Sequence, residues 1–179
     1  MPKLVILNGP LGSGKSTLAK EYAKLHPMTL VLDIDRIWFM MSAWRDNWET
    51  SLPLAKEMGL EMARIHLKAG YDVIAPIVIL DEKLISDLMQ MSEELGADFN
   101  EALIDIDQEE AIKRYFARKG SPEGYEAGKE SEEEKRQKFI ERYDRMNRLA
   151  GMRKNVLKLK NTYGDIEGDC KKLDSLLKD

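Results

Sequence analysis

A glycine-rich loop close to the amino end of the chain constrains its fold more than any other segment. Residues 9–16 read GPLGSGKS and fit the pattern G-x-x-x-x-G-K-[ST] at every fixed position. A short apolar run (residues 3–8) precedes this loop, and a segment of helical period (residues 15–25) follows it. A strand, a glycine loop and a helix in this order turn backbone N–H groups toward an anion at the positive end of the helix. The sequence therefore predicts a phosphate-binding loop rather than a solvated glycine turn.

The residue types at the end of this loop suit a nucleoside triphosphate. Lys15 would reach the β- and γ-phosphates and balance the charge that builds up during phosphoryl transfer. The hydroxyl of Ser16 would ligate Mg²⁺. We therefore predict ATP and Mg²⁺ as the ligands of this segment. The residues predicted to contact ATP here are Gly9, Pro10, Leu11, Gly12, Ser13, Gly14, Lys15, Ser16 and Thr17.

Beyond the loop, short apolar runs alternate with longer stretches of helical period. This alternation is typical of an α/β fold in which helices cover both faces of a parallel sheet, and it indicates about five strands. One helix is predicted over Pro53 to Ala69, with Met58, Met62, Ile65 and Ala69 as its apolar stripe. Strands are predicted over residues 3–8, 29–32, 71–80, 102–106 and 155–160.

Length, charge and cysteine content narrow the class of protein. With 179 residues, of which 43% are hydrophobic, residues 1–179 are predicted to form a single domain with its own core. The 28 Lys and Arg nearly balance the 32 Asp and Glu, so the net charge of -4 gives no reason to expect a nucleic-acid partner. Cys170 is the only cysteine, and no apolar run is long enough to span a bilayer. We expect a reducing, cytoplasmic setting without membrane attachment.

The second predicted strand ends in an acidic turn that contains Asp33 and Asp35. The carboxyl ends of parallel strands face the ligand crevice of an open sheet, so both carboxylates are expected near the phosphates. Alternation along an extended segment would place them on the same side, where one could hold Mg²⁺ through water and the other could accept a proton from a hydroxyl. We favour Asp35 as the base. The alternative is that Asp35 caps a helix beginning at Arg36 and Asp33 pairs with a nearby lysine.

Together with the loop, these residues resemble the small P-loop kinases related to shikimate kinase, gluconate kinase, chloramphenicol phosphotransferase and the polynucleotide 5'-hydroxyl kinases. The resemblance runs through most of the chain, although only GPLGSGKS is highly specific. It implies an AAA-type, three-layer P-loop fold with a helical lid, in which Asp35 acts on the acceptor hydroxyl and Asp33 is linked to Mg²⁺. The sequence departs from some members at Ala75 and Pro76, where a strand-end aspartate is common, and Asp81 is a weak substitute.

Two arginines at helical spacing precede a second glycine-rich stretch. Arg114 and Arg118 lie four residues apart, hence on one face of a helix, and a loop at residues 120–128 follows them. Guanidinium groups brought over the transferred phosphoryl would stabilise its charge, and closure would exclude water. The spacing resembles the lid of the shikimate and gluconate kinase relatives, so a lid is predicted at about residues 114–131. Alternatively, this basic face pairs with the acidic residues 130–134.

Asn161 and Thr162 follow the last predicted strand. The resemblance places a loop around the adenine base at this point, so both residues are predicted to contact ATP. An ordinary turn is the alternative, since asparagine is a common turn residue.

The three tryptophans, Trp38, Trp44 and Trp48, lie close together in the sequence. The resemblance implies an acceptor-binding segment at about residues 36–60, and an aromatic wall there would suit an acceptor with a ring or another flat face. Alternatively, the aromatic residues only pack against the core. The predicted acceptor contacts are Asp35, Arg36, Trp38 and Arg45.

The sequence thus predicts an ATP- and Mg²⁺-dependent kinase that transfers the γ-phosphoryl group to a hydroxyl of a small molecule. Its predicted catalytic residues are Lys15, Asp35, Arg114 and Arg118. A nucleoside or nucleotide kinase, or a polynucleotide 5'-hydroxyl kinase, is the first alternative. A switch protein that binds and hydrolyses ATP is the second. An antibiotic, a sugar, a cofactor precursor and a nucleoside are all open as acceptors.

Overall fold

The computed structural model describes residues 1–117, 131–162 and 164–178. Its strands are β1 (Lys3–Asn8), β2 (Leu30–Val31), β3 (Val73–Ile77), β4 (Asp98–Asp105) and β5 (Val156–Lys160). They form a five-stranded sheet in the order β2-β3-β1-β4-β5, and every neighbouring pair is parallel. Because β1 is the central strand and the phosphate loop follows it directly, the loop lies at the middle of the sheet's carboxyl edge. The predicted parallel α/β sheet is confirmed.

Helices cover both faces of this sheet. They are α1 (Lys15–Leu25), α2 (Ile34–Phe39), α3 (Trp48–Lys68), α4 (Glu82–Glu94), α5 (Gln108–Ala117), α6 (Glu132–Gly151) and α7 (Ile166–Leu176). Leu4 and Ile6 of β1 pack with α2, α3 and α4 on one face, whereas Val5 and Leu7 pack with α1 and α7 on the other. Successive side chains of a strand alternate between faces, so β1 is buried on both and the fold has three layers. Of the helices within the described ranges, none has the length and apolar character needed to cross a bilayer.

The predicted strands are present, but their bounds differ. β3 covers only Val73–Ile77 of the predicted residues 71–80. β2 is shorter than the predicted residues 29–32, because the chain turns into α2 directly after Leu32. β4 begins at Asp98 rather than near Ala102, since Asp98 to Asn100 already pair with Lys3 to Val5 of β1. Asp98 and Asn100 are polar and all three residues are only half-buried, so hydrophobic periodicity gave little signal for this segment.

The predicted apolar stripe of α3 is wrong, because its residues face away from the core. Met58, Met62 and Ile65 are 43%, 42% and 69% exposed. The face that packs on the core carries smaller side chains and one leucine: Ser51, Ala55, Gly59, Ala63 and Leu67. A β-carbon at Gly59 would lie 3.2 Å from the side chain of Ile34, so small residues let α3 approach α2 closely. The helix also begins at Trp48 rather than at Pro53, which lies inside it.

Candidate active site

The loop between β1 and α1 has the backbone shape that its glycines allow. Gly12 and Gly14 have positive φ angles of 78° and 89°, which are unfavourable for residues that carry a β-carbon. Gly14 is the N-cap of α1 and, being a glycine, has no side chain with which to cap this end. The first N–H groups of a helix have no partner within it, so the open end of α1 can receive an anion.

Lys15 folds back over the same loop. Its ammonium donates hydrogen bonds to the carbonyl oxygens of Gly9 at 2.9 Å and Pro10 at 2.8 Å, and the residue is 7% exposed. The hydroxyl of Ser13 is buried and has no hydrogen-bond partner among the described residues. A buried hydroxyl without a partner costs about 1–3 kcal/mol, so a polar ligand held by the loop would relieve that cost. A positive charge, an open helix end and an unsatisfied hydroxyl together fit a phosphate group.

The loop also touches the helix that leads into the predicted lid. A β-carbon at Gly12 would lie 3.0 Å from the backbone nitrogen of Tyr115 and 3.3 Å from the carbonyl carbon of Arg114. These are backbone atoms of α5, which cannot move aside as a flexible side chain could. The phosphate loop and α5 are therefore in direct backbone contact at Gly12.

We expect Gly12→Ala to impair both folding and nucleotide binding. The left-handed conformation costs a residue with a β-carbon about 1–2 kcal/mol, and the contact with α5 adds to this. Gly70→Ala is the matched control, since Gly70 has a similar φ of 86° with nothing within 4 Å of its β-carbon position. Thermal unfolding and ATP titration of the two variants separate strain from contact. Equal losses of Tm, with unchanged ATP affinity in both, would contradict the expectation.

Asp33 and Asp35 lie at the start of α2 and not along one strand, because Asp33 has an extended backbone whereas Asp35 is already helical. Asp33 is the N-cap of this helix and Asp35 is in its first turn, so the prediction that strand alternation places them on one side is wrong. The alternative that Asp35 caps a helix beginning at Arg36 is also wrong, because the helix begins at Ile34. Asp33 forms a long ion pair with Arg36 at 3.6 Å, rather than with a lysine. The acidic turn is therefore the beginning of a helix.

The charge of Lys15 in the phosphate loop nevertheless acts on Asp35. The surrounding protein partly withdraws its carboxyl group from water and so raises its pKa; the charge of Asp33 raises the pKa further, whereas Lys15 and Arg142 lower it. The side chain remains open to solvent. A solvent-exposed carboxyl group with a raised pKa, on which the charge of the loop lysine acts, is suited to accept a proton.

Arg142 on α6 is a site residue that the sequence reasoning missed. Its charge acts on Asp35, and the charge of Arg145, three residues further along the helix, acts on Asp81. Residues at this spacing share a face, so α6 turns one basic face toward the carboxyl edge of the sheet. The sequence of α6 is charged nearly throughout, which is also the pattern of a solvated helix. Only the spacing of the two arginines could have pointed to this face.

The structure brings together Arg114, predicted for the lid, and Asn161, predicted to contact ATP. Arg114 donates to Glu110 at 2.7 Å and also bonds to the side-chain oxygen of Asn161. The predicted lid helix is thus tied to the loop after β5. The other predicted lid arginine, Arg118, lies outside the described residues, as do residues 119–130 of the predicted lid.

Asp169 of α7 accepts hydrogen bonds from the loop after β5, a role that the sequence did not predict. It is fully buried, and it accepts hydrogen bonds from the side chain of Asn161 at 2.8 Å and from the backbone of Thr162 at 3.0 Å. Lys172 donates to its other oxygen at 2.9 Å. The loop after β5 is therefore fixed by a buried carboxylate from α7, rather than being an ordinary surface turn.

The aromatic cluster divides between the core and the surface. Trp38 is 8% exposed and its indole N–H donates to Ser51 at 2.7 Å, so most of this ring packs in the core. The ring of Trp44 lies 4.4 Å from that of Trp38, centroid to centroid, and the guanidinium of Arg45 lies 4.9 Å from the Trp44 centroid. Trp48 is 57% exposed. The aromatic faces that an acceptor could reach belong to Trp44 and Trp48 more than to Trp38.

The two predicted metal residues lie at the starts of two different helices. Ser16 is in the first turn of α1, and Asp33 is the N-cap of α2. Asp81 caps α4 through the backbone N–H of Leu84 and pairs with Lys56 at 2.9 Å, so its carboxylate is already engaged. In the part of the chain that the structure describes, no group of three or more His, Cys, Asp or Glu side chains is arranged around a common metal position. A hard cation here would fit as a partner of phosphate oxygens with few protein ligands.

The glycine loop at the centre of a five-stranded parallel sheet, with helices on both faces, defines a P-loop NTPase fold. The AAA domain family (AAA_33) matches residues 4–146, and the chain belongs to this family. Among curated protein sequences none matches it significantly.

Solved structures of kinases have the same fold. Shikimate kinase from Bacteroides thetaiotaomicron has a TM-score of 0.69 at 14% identity, with 98% of each chain covered. A gluconokinase from Sinorhizobium meliloti has a TM-score of 0.62 at 12% identity, covering 99% of this chain and 92% of that one. APS kinase from Mycobacterium tuberculosis has a TM-score of 0.56 at 16% identity, covering 99% and 98%. The resemblance to the small P-loop kinases is confirmed.

Proposed function

We propose that the protein is an ATP- and Mg²⁺-dependent kinase that transfers the γ-phosphoryl group of ATP to a hydroxyl of a small molecule. The observation that carries this proposal is the position of Asp35, a carboxyl group with a raised pKa close enough to Lys15 for that charge to act on it. A base beside the phosphate site, open to solvent, is what an incoming hydroxyl requires. The family and the kinases of the same fold support this reading.

Binding would begin at the phosphate loop. Residues 9–17 would surround the triphosphate with backbone N–H groups, and the ammonium of Lys15 would exchange its bonds to Gly9 and Pro10 for phosphate oxygens. Asn161 and Thr162, held by Asp169, would border the adenine base, and Arg114 lies against Asn161. Ser16 and Asp33 would hold Mg²⁺, directly and through water respectively. When bound, the ion neutralises charge on the β- and γ-phosphates.

Transfer would then depend on alignment and on electrostatic stabilisation. The acceptor hydroxyl oxygen forms the new bond to the γ-phosphorus, the bond from that phosphorus to the β–γ bridging oxygen breaks, and ADP leaves. The hydroxyl proton passes to the carboxylate of Asp35. Lys15 and Arg142 both act on Asp35 and would stabilise negative charge around the transferred group. Arg118 is proposed to join them from the lid.

ATP consumption with and without acceptors tests this proposal. The assay would measure ADP release by the full chain with Mg²⁺ alone and with separate hydroxyl compounds: sugars, cofactor precursors, aminoglycoside and phenicol antibiotics, nucleosides and a 5'-hydroxyl oligonucleotide. A kinase should turn over slowly alone and be stimulated by one class, with the phosphorylated product visible by mass spectrometry. Steady hydrolysis that no compound changes would favour the ATP-driven switch instead.

A nucleoside or nucleotide is the second candidate acceptor, because of the aromatic residues beside Asp35. Trp44 stays half-exposed while Trp38 and Phe39 pack against it, at 4.4 and 4.9 Å between ring centroids. A preorganised aromatic face of this kind can stack on a base. Stimulation by nucleosides that is lost in Trp44→Ala, but kept in Trp48→Ala, would support this candidate over a sugar.

The rate of transfer should fall with decreasing pH, beginning above the range of an ordinary aspartate. The pKa of Asp35 is raised by partial desolvation and by Asp33, so the carboxylate takes up a proton, and stops acting as a base, at a higher pH than usual. A profile of kcat/KM against pH measures this acidic limb, the pH range over which the rate falls. In Asp33→Asn one source of the raised pKa is gone, so the limb should move to lower pH; an unmoved limb would remove Asp35 from the titration.

A further inference from the structure

The last residue of β1 connects the phosphate loop to the rest of the sheet. Asn8 is fully buried, and its side-chain oxygen accepts two backbone hydrogen bonds, from Gly9 at 2.9 Å and from Ile79 at 3.1 Å. Gly9 opens the phosphate loop, and Ile79 follows β3. One amide oxygen therefore holds the start of the loop against the neighbouring strand connection.

The orientation of this amide depends on a carboxylate from β4. The side-chain nitrogen of Asn8 donates to Glu101 at 2.9 Å, and Glu101 is 2% exposed. The two ends of an asparagine amide have nearly the same shape, so only its partners determine which end faces which way. If the amide turned over, its NH₂ group would face two backbone N–H donors. Glu101, which accepts only, keeps the oxygen on the side of the loop.

Arg153, just beyond α6, keeps Glu101 in this role. It donates to both carboxylate oxygens, at 2.7 and 2.6 Å, and also to the carbonyl oxygen of Leu149 at 2.8 Å. Such a two-pronged, charge-assisted contact is strong and fixes geometry. Removing the cation from a buried ion pair strongly destabilises the folded protein. Arg153 therefore offsets the free-energy cost of burying the charge of Glu101.

We propose that Asn8, Glu101 and Arg153 form a positioning unit that holds the phosphate loop in its triphosphate-binding shape. None of the three needs to touch the nucleotide. The unit acts through Gly9, whose N–H is held by Asn8 and whose carbonyl accepts from Lys15, so displacement of Gly9 also displaces the ammonium. The inference rests on the proposed function in one respect, namely that the loop binds ATP.

A charge exchange between positions 8 and 101 tests this unit. In Asn8→Asp two carboxylates face each other, and in Glu101→Gln the amide of Asn8 loses its acceptor-only partner. Each variant leaves buried polar groups imperfectly paired and should weaken ATP–Mg²⁺ binding about tenfold or more. In the double variant, the new amide at 101 can donate to the new carboxylate at 8 and still accept from Arg153. The double variant should therefore bind ATP more tightly than Asn8→Asp alone.

ATP–Mg²⁺ titration and thermal unfolding of the full chain would be measured side by side. Glu93→Gln, at an exposed glutamate of α4, is the matched control for loss of one negative charge. Wild-type ATP affinity in folded Glu101→Gln, or a double variant no better than Asn8→Asp, would overturn the inference, even if every Tm fell. If Glu101→Gln does not fold, Arg153→Lys replaces it; this variant keeps the charge without the two-pronged contact, should also weaken binding, and overturns the inference if it does not. Absence of ATP binding by the unaltered chain would refute the proposed function instead.

Discussion

Lys15→Ala should lose ATP turnover by on the order of 10²–10³-fold, the loss typical of removing one preorganised electrostatic contact to the reacting group. The ammonium is held over the loop by the carbonyl oxygens of Gly9 and Pro10, so its charge is in place before the nucleotide arrives. A charge in a partly water-excluded site is screened less than one at the surface. The same substitution should weaken ATP binding, because the triphosphate loses its nearest protein cation.

Steady-state ADP release and an ATP titration measure the two effects. Lys20→Ala is the matched control, since Lys20 belongs to the same helix but is exposed. The unfolding temperature should be recorded for both variants, because the bonds from Lys15 to the loop also contribute to folding. Wild-type consumption of ATP by a folded Lys15→Ala protein would contradict the proposal at its centre.

The loop and the sheet could be predicted because their signals are local. GPLGSGKS specifies its own backbone shape through Gly12 and Gly14, and β1, which leads into it, carries a continuous apolar run over residues 4–7, as expected of a strand buried on both faces. Neither feature depends on knowing which distant segments meet. That Asp35 lies near the carboxyl edge of the sheet could be expected for the same reason, because it follows a predicted strand closely, whereas its role as a base stays a prediction.

The missed features depend on packing between distant segments. On α3, the large side chains of Met58, Met62 and Ile65 gave the stronger hydrophobic signal, yet these residues are exposed. The buried face carries Ala55, Gly59 and Ala63, and at Gly59 the side chain of Ile34 in α2 leaves no room for a larger residue. Close approach of two backbones requires small residues, and a hydrophobicity pattern gives small residues little weight.

The buried polar contacts could not be predicted for a related reason. In the sequence Glu101 is a charged residue within a strand, and the residues around it do not indicate its partners. These partners, Asn8 and Arg153, are 93 and 52 residues away. In the sequence Arg142 is one of many charges on a solvated helix, and only the fold brings it within range for its charge to act on Asp35. A charge is informative about function only when its partner is known.

Asp35→Asn should leave ATP binding intact while transfer to the acceptor falls by about 10²–10⁴-fold, the usual contribution of a general base. The amide has the shape of the carboxylate but cannot accept the hydroxyl proton. The free energy of unfolding of Asp35→Asn should increase at neutral pH, although its transfer rate falls. A raised pKa means that the folded state disfavours the ionised carboxylate, so the contribution of Asp35 to stability is present at low pH and is lost as the pH rises through its folded pKa. At neutral pH the neutral amide should therefore raise Tm.

Acceptor phosphorylation, ATP titration and thermal unfolding of the same sample test all three effects together. Asp87→Asn is the matched control, because Asp87 forms a surface pair with Lys83 on α4, a kind of contact that contributes little. A variant with weaker ATP binding but normal transfer at saturation would assign Asp35 to nucleotide binding. Normal transfer with normal binding would leave Asp33 as the remaining candidate base at the start of α2. Only the combination of lost transfer, retained ATP affinity and raised Tm identifies Asp35 as a base whose ionised form the fold holds at a cost in stability.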